Sequence, residues 1–245
     1  MGVLSNAIRI GASQPAAADD AYVIKKSLSL DNSKTHEEKQ WLHKTTTYVG
    51  NRRKWTWAGW FKRTKVETTS TDQQKLFSSN DTDIYFEADK LCLGNSGANN
   101  LVTTAEFSDF SAWYHLVVAV DTTHIIANHR NRMWVNGKEI TSFSTRSNLS
   151  QNAETDMNKT ATVHRLGVNK NETHYFDGLL ADVFLLDGLA VSPAAWGQFD
   201  DSNNWVAKEF ALPAPNTNKT WSGMMTSETG SWYSSSNVNL FNGIL

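Results

Sequence analysis

An all-β sandwich or barrel is the fold class this chain predicts, on three observations. Short strand signals alternate with loops rich in Asn, Asp, Ser and Gly along most of its length. Two longer strands, WYHLVVAVD and YFDGLLADVFLLDG, carry apolar residues on both faces or nearly so, as central strands between packed layers do. Only one segment has a helix signal. The length of 245 residues fits one large all-β domain or two modest ones, and 40% hydrophobic residues with 10 Trp and 11 Phe can fill a sizeable core.

In chain order, Tyr22 to Leu30 alternates apolar and polar residues. The stretch NRRKWTWAGWFKR, Asn51 to Arg63, then places three tryptophans between five cations. Tryptophan beside cations is the material of a stacking platform for an anionic ligand. Strand parity opposes that reading: Trp55, Trp57, Gly59 and Phe61 share one face, Thr56, Ala58 and Trp60 the other. Both faces are mostly apolar, so the strand reads as core. Strand signals follow at Lys75–Ser78, Asp83–Glu87, Lys90–Leu93, Leu101–Phe107, Trp113–Asp121, Arg132–Val135, Glu139–Phe143, Thr162–Gly167 and Tyr175–Leu186. WVNG before KEITSF reads as a hairpin with Asn136-Gly137 as a type I′ turn. Asp182, in apolar company, must find a donor or stay protonated. The helix signal is SPAAWGQF, Ser192 to Phe199, with Ser192 as cap and Pro193 in the first turn.

Charge and cysteine content exclude several classes. A net charge of −2 and a pI near 6.4 lack the basic footprint of a general nucleic-acid binder. A single cysteine, Cys92, rules out an intramolecular disulfide framework and any multi-cysteine zinc site. The N-terminal MGVLSNAIRIGASQPAAADDAYVIKKS has apolar runs too short for a signal peptide, and no stretch reaches membrane-spanning length. Residues 1–26 read as a flexible arm. Five Asn-x-Ser/Thr sequons, at Asn80, Asn148, Asn158, Asn171 and Asn218, are what an Asn- and Thr-rich chain produces by chance.

Catalytic signatures are absent. Glycosidases on β-sandwiches need paired carboxylates facing one cleft; Glu37 and Glu38, Glu87 and Asp89, and Asp200 and Asp201 have the wrong spacing or sit in loops. No H-E-x-x-H, G-x-S-x-G or phosphate-binding glycine loop occurs. DNSKTHEEK begins like an EF-hand loop but lacks its glycine and final glutamate; Asp81 and Asp83 of NDTD are the better candidate pair for calcium, against the alternative and plainer reading of NDTD as a solvated turn.

The series SLSLDNS, NRRKWTWAGWFKR, WYHLVVAVDTT, NRMWVNGKEITSF and YFDGLLADVFLLDGLAVSPAAWGQF, closed by NNWVAKEF, resembles the laminin G-like, concanavalin A-like jelly-roll domains. It resembles in particular the version carried by virion proteins of aquatic bacteriophages, tail-fibre or structural. The resemblance spans about Ser27 to Phe210, giving a domain at 27–212 and a C-terminal extension at 213–245. It implies a concanavalin A-like two-sheet antiparallel sandwich and a non-enzymatic place on a virion, as decoration or fibre component. The alternative is an adhesin module that binds a host-surface glycan. For such a glycan, Asn95, Asn99, Asn169, Asn171 and His174 lie in turns where polar side chains can pair with sugar hydroxyls, and Tyr175 can stack. Assembly with other virion proteins or with further copies of the chain would use Val3, Leu4, Ile8 and Ile10 of the arm and Trp221, Trp232, Phe241 and Leu245 of the tail. Burial against a neighbour would remove the liability of exposed aromatics. No cofactor other than calcium is implied.

Overall fold

The computed structural model describes residues 22–32, 39–47, 49–65 and 72–210, with the backbone of residues 220–221 and 233–234. Its strands are β1 (Leu28–Leu30), β2 (Leu42–Thr45), β3 (Lys54–Arg63), β4 (Gln73–Ser79), β5 (Thr82–Glu87), β6 (Lys90–Asn95), β7 (Ala98–Glu106), β8 (Tyr114–Asp121) and β9 (Asn131–Val135). There follow β10 (Lys138–Glu139), β11 (Phe143–Arg146), β12 (Val163–Leu166), β13 (Gly178–Asp187), β14 (Gly197–Phe199), β15 (Trp205–Ala207), β16 (Thr220–Trp221) and β17 (Tyr233–Ser234). Among the described residues they form two large antiparallel sheets. One runs β1-β13-β3-β8-β9-β10, with β16 also on β13; the other runs β11-β7-β6-β5-β4-β12-β2-β17. β14 and β15 make a separate two-stranded ribbon. The fold is an all-β sandwich, as the loop chemistry and strand spacing predict.

Parity on β3 decides what fills it. Trp55, Trp57 and Phe61 enter the inter-sheet core with Leu116 and Val118 of β8 and Leu180 of β13. From the opposite sheet come Phe77, Ile84, Phe86, Leu93 and Leu101. Trp57 meets Phe77 at 6.3 Å and Phe61 meets Phe86 at 5.2 Å between ring centroids, so aromatic pairs bridge the layers. On the reverse of β3, Ala58 and Trp60 face outward from the sandwich, yet both are buried. The segment Leu189–Phe210 covers them, with Leu189, Ala195 and Trp196 against Ala58, Val117 and Leu186. Ile24 and Trp205 pack beside Trp60.

Turn chemistry sets the register. Asn136 and Gly137 have φ of 47° and 75°, the double left-handed geometry of a type I′ turn joining β9 to β10. In β13 the pairing with β3 shifts between Ala181 and Phe184, and Asp182 takes a φ of 44°. This bulge keeps both faces apolar by turning the carboxylate out of the register.

Several elements differ from their sequence-based expectations. Ser192–Phe199 is not a helix: one 3-10 turn, Pro193–Ala195, passes directly into β14, and the Ser192 side chain makes no cap. The reason is tertiary. The Trp205 ring lies against Gly197, where a Cβ would come within 2.4 Å of it, and Trp196 stacks on Phe210 at 5.4 Å. Glu139–Phe143 is split, since β10 ends in one sheet and β11 begins in the other. Tyr22–Leu30 pairs as a strand only over β1, and the long strand at Tyr175 starts at Gly178. β2 has one core residue in LHKT and lacks alternation; pairing with β12 fixes it. Part of the tail also has a place on the sandwich, because β16 and β17 pair with β13 and β2.

Candidate functional site

The two outer faces of the sandwich differ in chemistry. On the sheet containing β3 the outer face is apolar and covered. On the sheet containing β4 and β5 the side chains that alternate with the core are polar: Gln73, Lys75 and Ser78 on β4, Asp83, Tyr85 and Glu87 on β5, Arg165 on β12 and Asn99 on β7. That face, with the cleft at its side, is where the fold gathers groups that can recognise a ligand.

Its centre is an ion pair lying on an aromatic ring. Lys75 Nζ is 3.0 Å from Asp83 Oδ2 and 3.6 Å from the centroid of the Tyr85 ring. Tyr85 donates its hydroxyl to Asn99 Oδ1, and burial pushes the phenol pKa up. The ring has room because Gly94, diagonal to it on β6, carries no side chain; a Cβ there would sit 3.3 Å from Tyr85 Cε1. Beside Lys75 opens a polar cleft of about 160 Å³, lined among others by Asn32, Lys39, Gln73, Thr173, His174 and Tyr175. This is small beside drug-sized pockets of roughly 300–1,000 Å³ and suits one small polar ring. Tyr175 forms its aromatic wall, tilted against Trp41 at 5.7 Å with Lys39 Nζ 5.4 Å from its ring centre. Partial burial, and after it the Lys75 charge, lower the pKa of His174.

The sequence-predicted site residues fall into three groups. His174 and Tyr175 line the cleft. Asn169 is buried and shapes the turn that carries them: its Oδ1 accepts from the Thr173 amide at 2.8 Å and its Nδ2 donates to Thr173 Oγ1 at 2.9 Å. Asn171 is exposed at the tip of that turn. Asn95 and Asn99 belong to the β6–β7 hairpin, where Asn95 Oδ1 accepts from Thr82 Oγ1 at 2.8 Å and Asn99 serves Tyr85. The carboxylates of Asp81 and Asp83 are each engaged by a lysine, Lys170 and Lys75 respectively. Among the described residues no group of three or more His, Cys, Asp or Glu is arranged to hold a metal. Calcium at Asp81 and Asp83 would have to displace both lysines. Val3, Leu4, Ile8, Ile10, Trp232, Phe241 and Leu245 lie outside the described residues, and of Trp221 only the backbone, paired with Leu185, is described.

Lys75, Tyr85, Gln73, Glu87 and Trp41 are site residues that sequence reasoning passed over. The signal was available in QQKLFSSNDTDIYFE, where alternation puts Asp83, Tyr85 and Glu87 on one face of β5. What hides Lys75 is a register shift between Lys75 and Phe77, which buries both Leu76 and Phe77.

Residues 37–195 match the family model described as the concanavalin A-like lectin/glucanases superfamily, in its laminin G form. The chain belongs to that superfamily. Among solved structures it is similar to domains LG4-5 of the mouse laminin α1 chain, with TM-score 0.44 and 10% identity over 71% of this chain and 45% of that one. It is also similar to domain 4 of AbnA, a GH43 extracellular arabinanase from Geobacillus stearothermophilus in complex with arabinotriose. There the TM-score is 0.40 and the identity 18%, over 59% of this chain and 65% of that one. A third likeness is to Trypanosoma rangeli sialidase, at TM-score 0.40 and 7% identity, covering 58% of this chain and 22% of that one. The chain thus spans less than two thirds of each of these structures, and at such scores the likenesses say nothing of what it binds. No curated protein matches the chain.

Proposed function

We propose that this chain is a non-enzymatic binding module that takes a glycan on the polar face of its β4–β5 sheet, displayed on a virion. The observation that supports binding is the cleft beside that face. Tyr175, backed by Trp41, provides an aromatic wall for a sugar ring, and Gln73, Thr173 and His174 offer polar groups for its hydroxyls. The same face argues against hydrolysis. Asp83 and Glu87 share it, and each carboxylate is already engaged by a neighbouring side chain. Asp83 is neutralised by Lys75, and Gln73 holds Glu87 through a hydrogen bond.

The virion setting rests on the resemblance of the ordered segments from SLSLDNS to NNWVAKEF to phage virion proteins. The binding half is tested on a glycan array with the wild-type chain and Tyr175→Ala. Binding that is lost in Tyr175→Ala supports it, and a blank array or hits indifferent to this substitution oppose it. Mass spectrometry of purified particles tests the virion half, which fails if the chain is absent from them.

A further inference from the structure

Between β12 and β13 the chain leaves the sheet plane and crosses the polar face. Its base is pinned: the Gly167 amide donates to the Leu76 carbonyl at 3.1 Å, and the Phe176 amide to the Gly167 carbonyl at 2.8 Å. Between these points Asn169–His174 runs over the polar face towards the β4–β5 turn, and Tyr175 forms a backbone bridge with Lys75 at its end. Lys170 pairs with Asp81, both about two-fifths exposed. The Glu172 carboxylate acts on the Arg165 guanidinium, and His174 feels Lys75 and Asp83. Glu172 has a φ of 56°, unfavourable for a residue with a long side chain.

Beneath this segment Lys75 is 4% and Ser78 0% exposed, on a face that would otherwise be open. Ser78 and Asp83 stand directly opposite each other across β4 and β5. Ser78 Oγ and Asp83 Oδ1 are both buried without a hydrogen-bond partner. Buried polar groups in folded proteins are nearly always satisfied, so a hydroxyl donor at Asp83 and a polar partner at Ser78 would complete the set.

We infer that Asn169–His174 is a strap over a second polar subsite, formed by Lys75, Ser78 and Asp83, which takes hydroxyl groups of a neutral sugar when the strap lifts. This rests on the glycan-binding reading above. The ligand class follows from the groups: the Lys75 charge is already balanced by Asp83, and an acidic sugar would set like charge against that carboxylate. The strap can lift because its outermost tie is an exposed ion pair, which contributes little to closure.

Acetylation of Lys75 by an N-hydroxysuccinimide ester, read by mass spectrometry against the exposed Lys138, measures the opening without any glycan. Lys75 should react slowly in the wild type. In Lys170→Ala it should react roughly two- to fivefold faster, since an exposed pair shifts an equilibrium by about that factor. Asn169→Ala, which removes the internal brace, should act in the same direction. A neutral oligosaccharide that binds on the array should slow acetylation of Lys75 and leave Lys138 unchanged. Equal, low reactivity in all three chains overturns the strap while leaving glycan binding at Tyr175 standing. Faster reaction without protection by a bound neutral sugar overturns the subsite, and a chain that binds no glycan at all overturns the binding reading and the subsite together.

Discussion

His115 shows how single residues set the stability of this sandwich. It is fully buried among Trp60, Trp196 and Trp205, and Trp205 Nε1–H donates to its Nδ1 at 3.2 Å. Accepting at Nδ1 places the proton of the neutral ring on Nε2. Burial pushes its pKa down to about 3, and burial likewise lowers His164 to about 4. Both values fall below that of an unfolded histidine, so the unfolded chain binds more protons between pH 6.5 and about 4. Stability is then complete above pH 6.5 and is lost as pH falls towards the folded pKa values. The slope should approach about 1.4 kcal/mol per pH unit for each histidine. Urea unfolding at pH 7, 6 and 5 measures it, and stability independent of pH over that range would contradict the burial of these rings. Leu180 tests the core itself: it is fully buried between the sheets. Leu180→Ala should cost about 2–5 kcal/mol, and a cost near zero in the same unfolding experiment would mean that β13 is misplaced.

At the scale of elements, glycines show where packing overrides local propensity. Gly137 and Gly97 sit in hairpin turns with φ of 75° and 76°. A Cβ on Gly137 would lie 2.2 Å from the Trp205 ring, whereas one on Gly97 meets nothing within 4 Å. Gly97→Ala should therefore cost about 1 kcal/mol for the left-handed backbone alone. Gly137→Ala should cost about 2–4 kcal/mol, because overpacking adds roughly 1–3. Thermal melts compare the two, and equal losses would show that Trp205 does not lie on the turn. The same contacts explain what could be read in the sequence. Alternation made β3, β5, β8 and β13 legible, and Asn136-Gly137 made its turn legible. The helix reading of SPAAWGQF failed because Trp196 and Trp205 impose an extended path that cap and proline preferences cannot foresee. The site was half legible. His174 and Tyr175 stand in a turn visible as such and alternation groups Tyr85 with Asp83 and Glu87, while Lys75 belongs to it through a bulge that no local pattern encodes.

For the whole molecule, the sandwich has two unlike sides. Tyr22, which donates to Asp182 Oδ2 at 2.7 Å, and Phe210, stacked on Trp196, both lie on the covered face of β3 and β13. Residues 22 and 210 therefore lie on the side away from the polar face of Lys75, Tyr85 and Tyr175, while β17 pairs with β2 at the edge of the sheet that carries that face. The central claim is that this polar face is the binding face. Hydrogen–deuterium exchange with and without an array-selected glycan tests it most directly. Slowed exchange confined to residues 73–75, 83–87 and 169–177 is the predicted result; slowed exchange at 122–130 or 197–207, with the polar face unchanged, would contradict it.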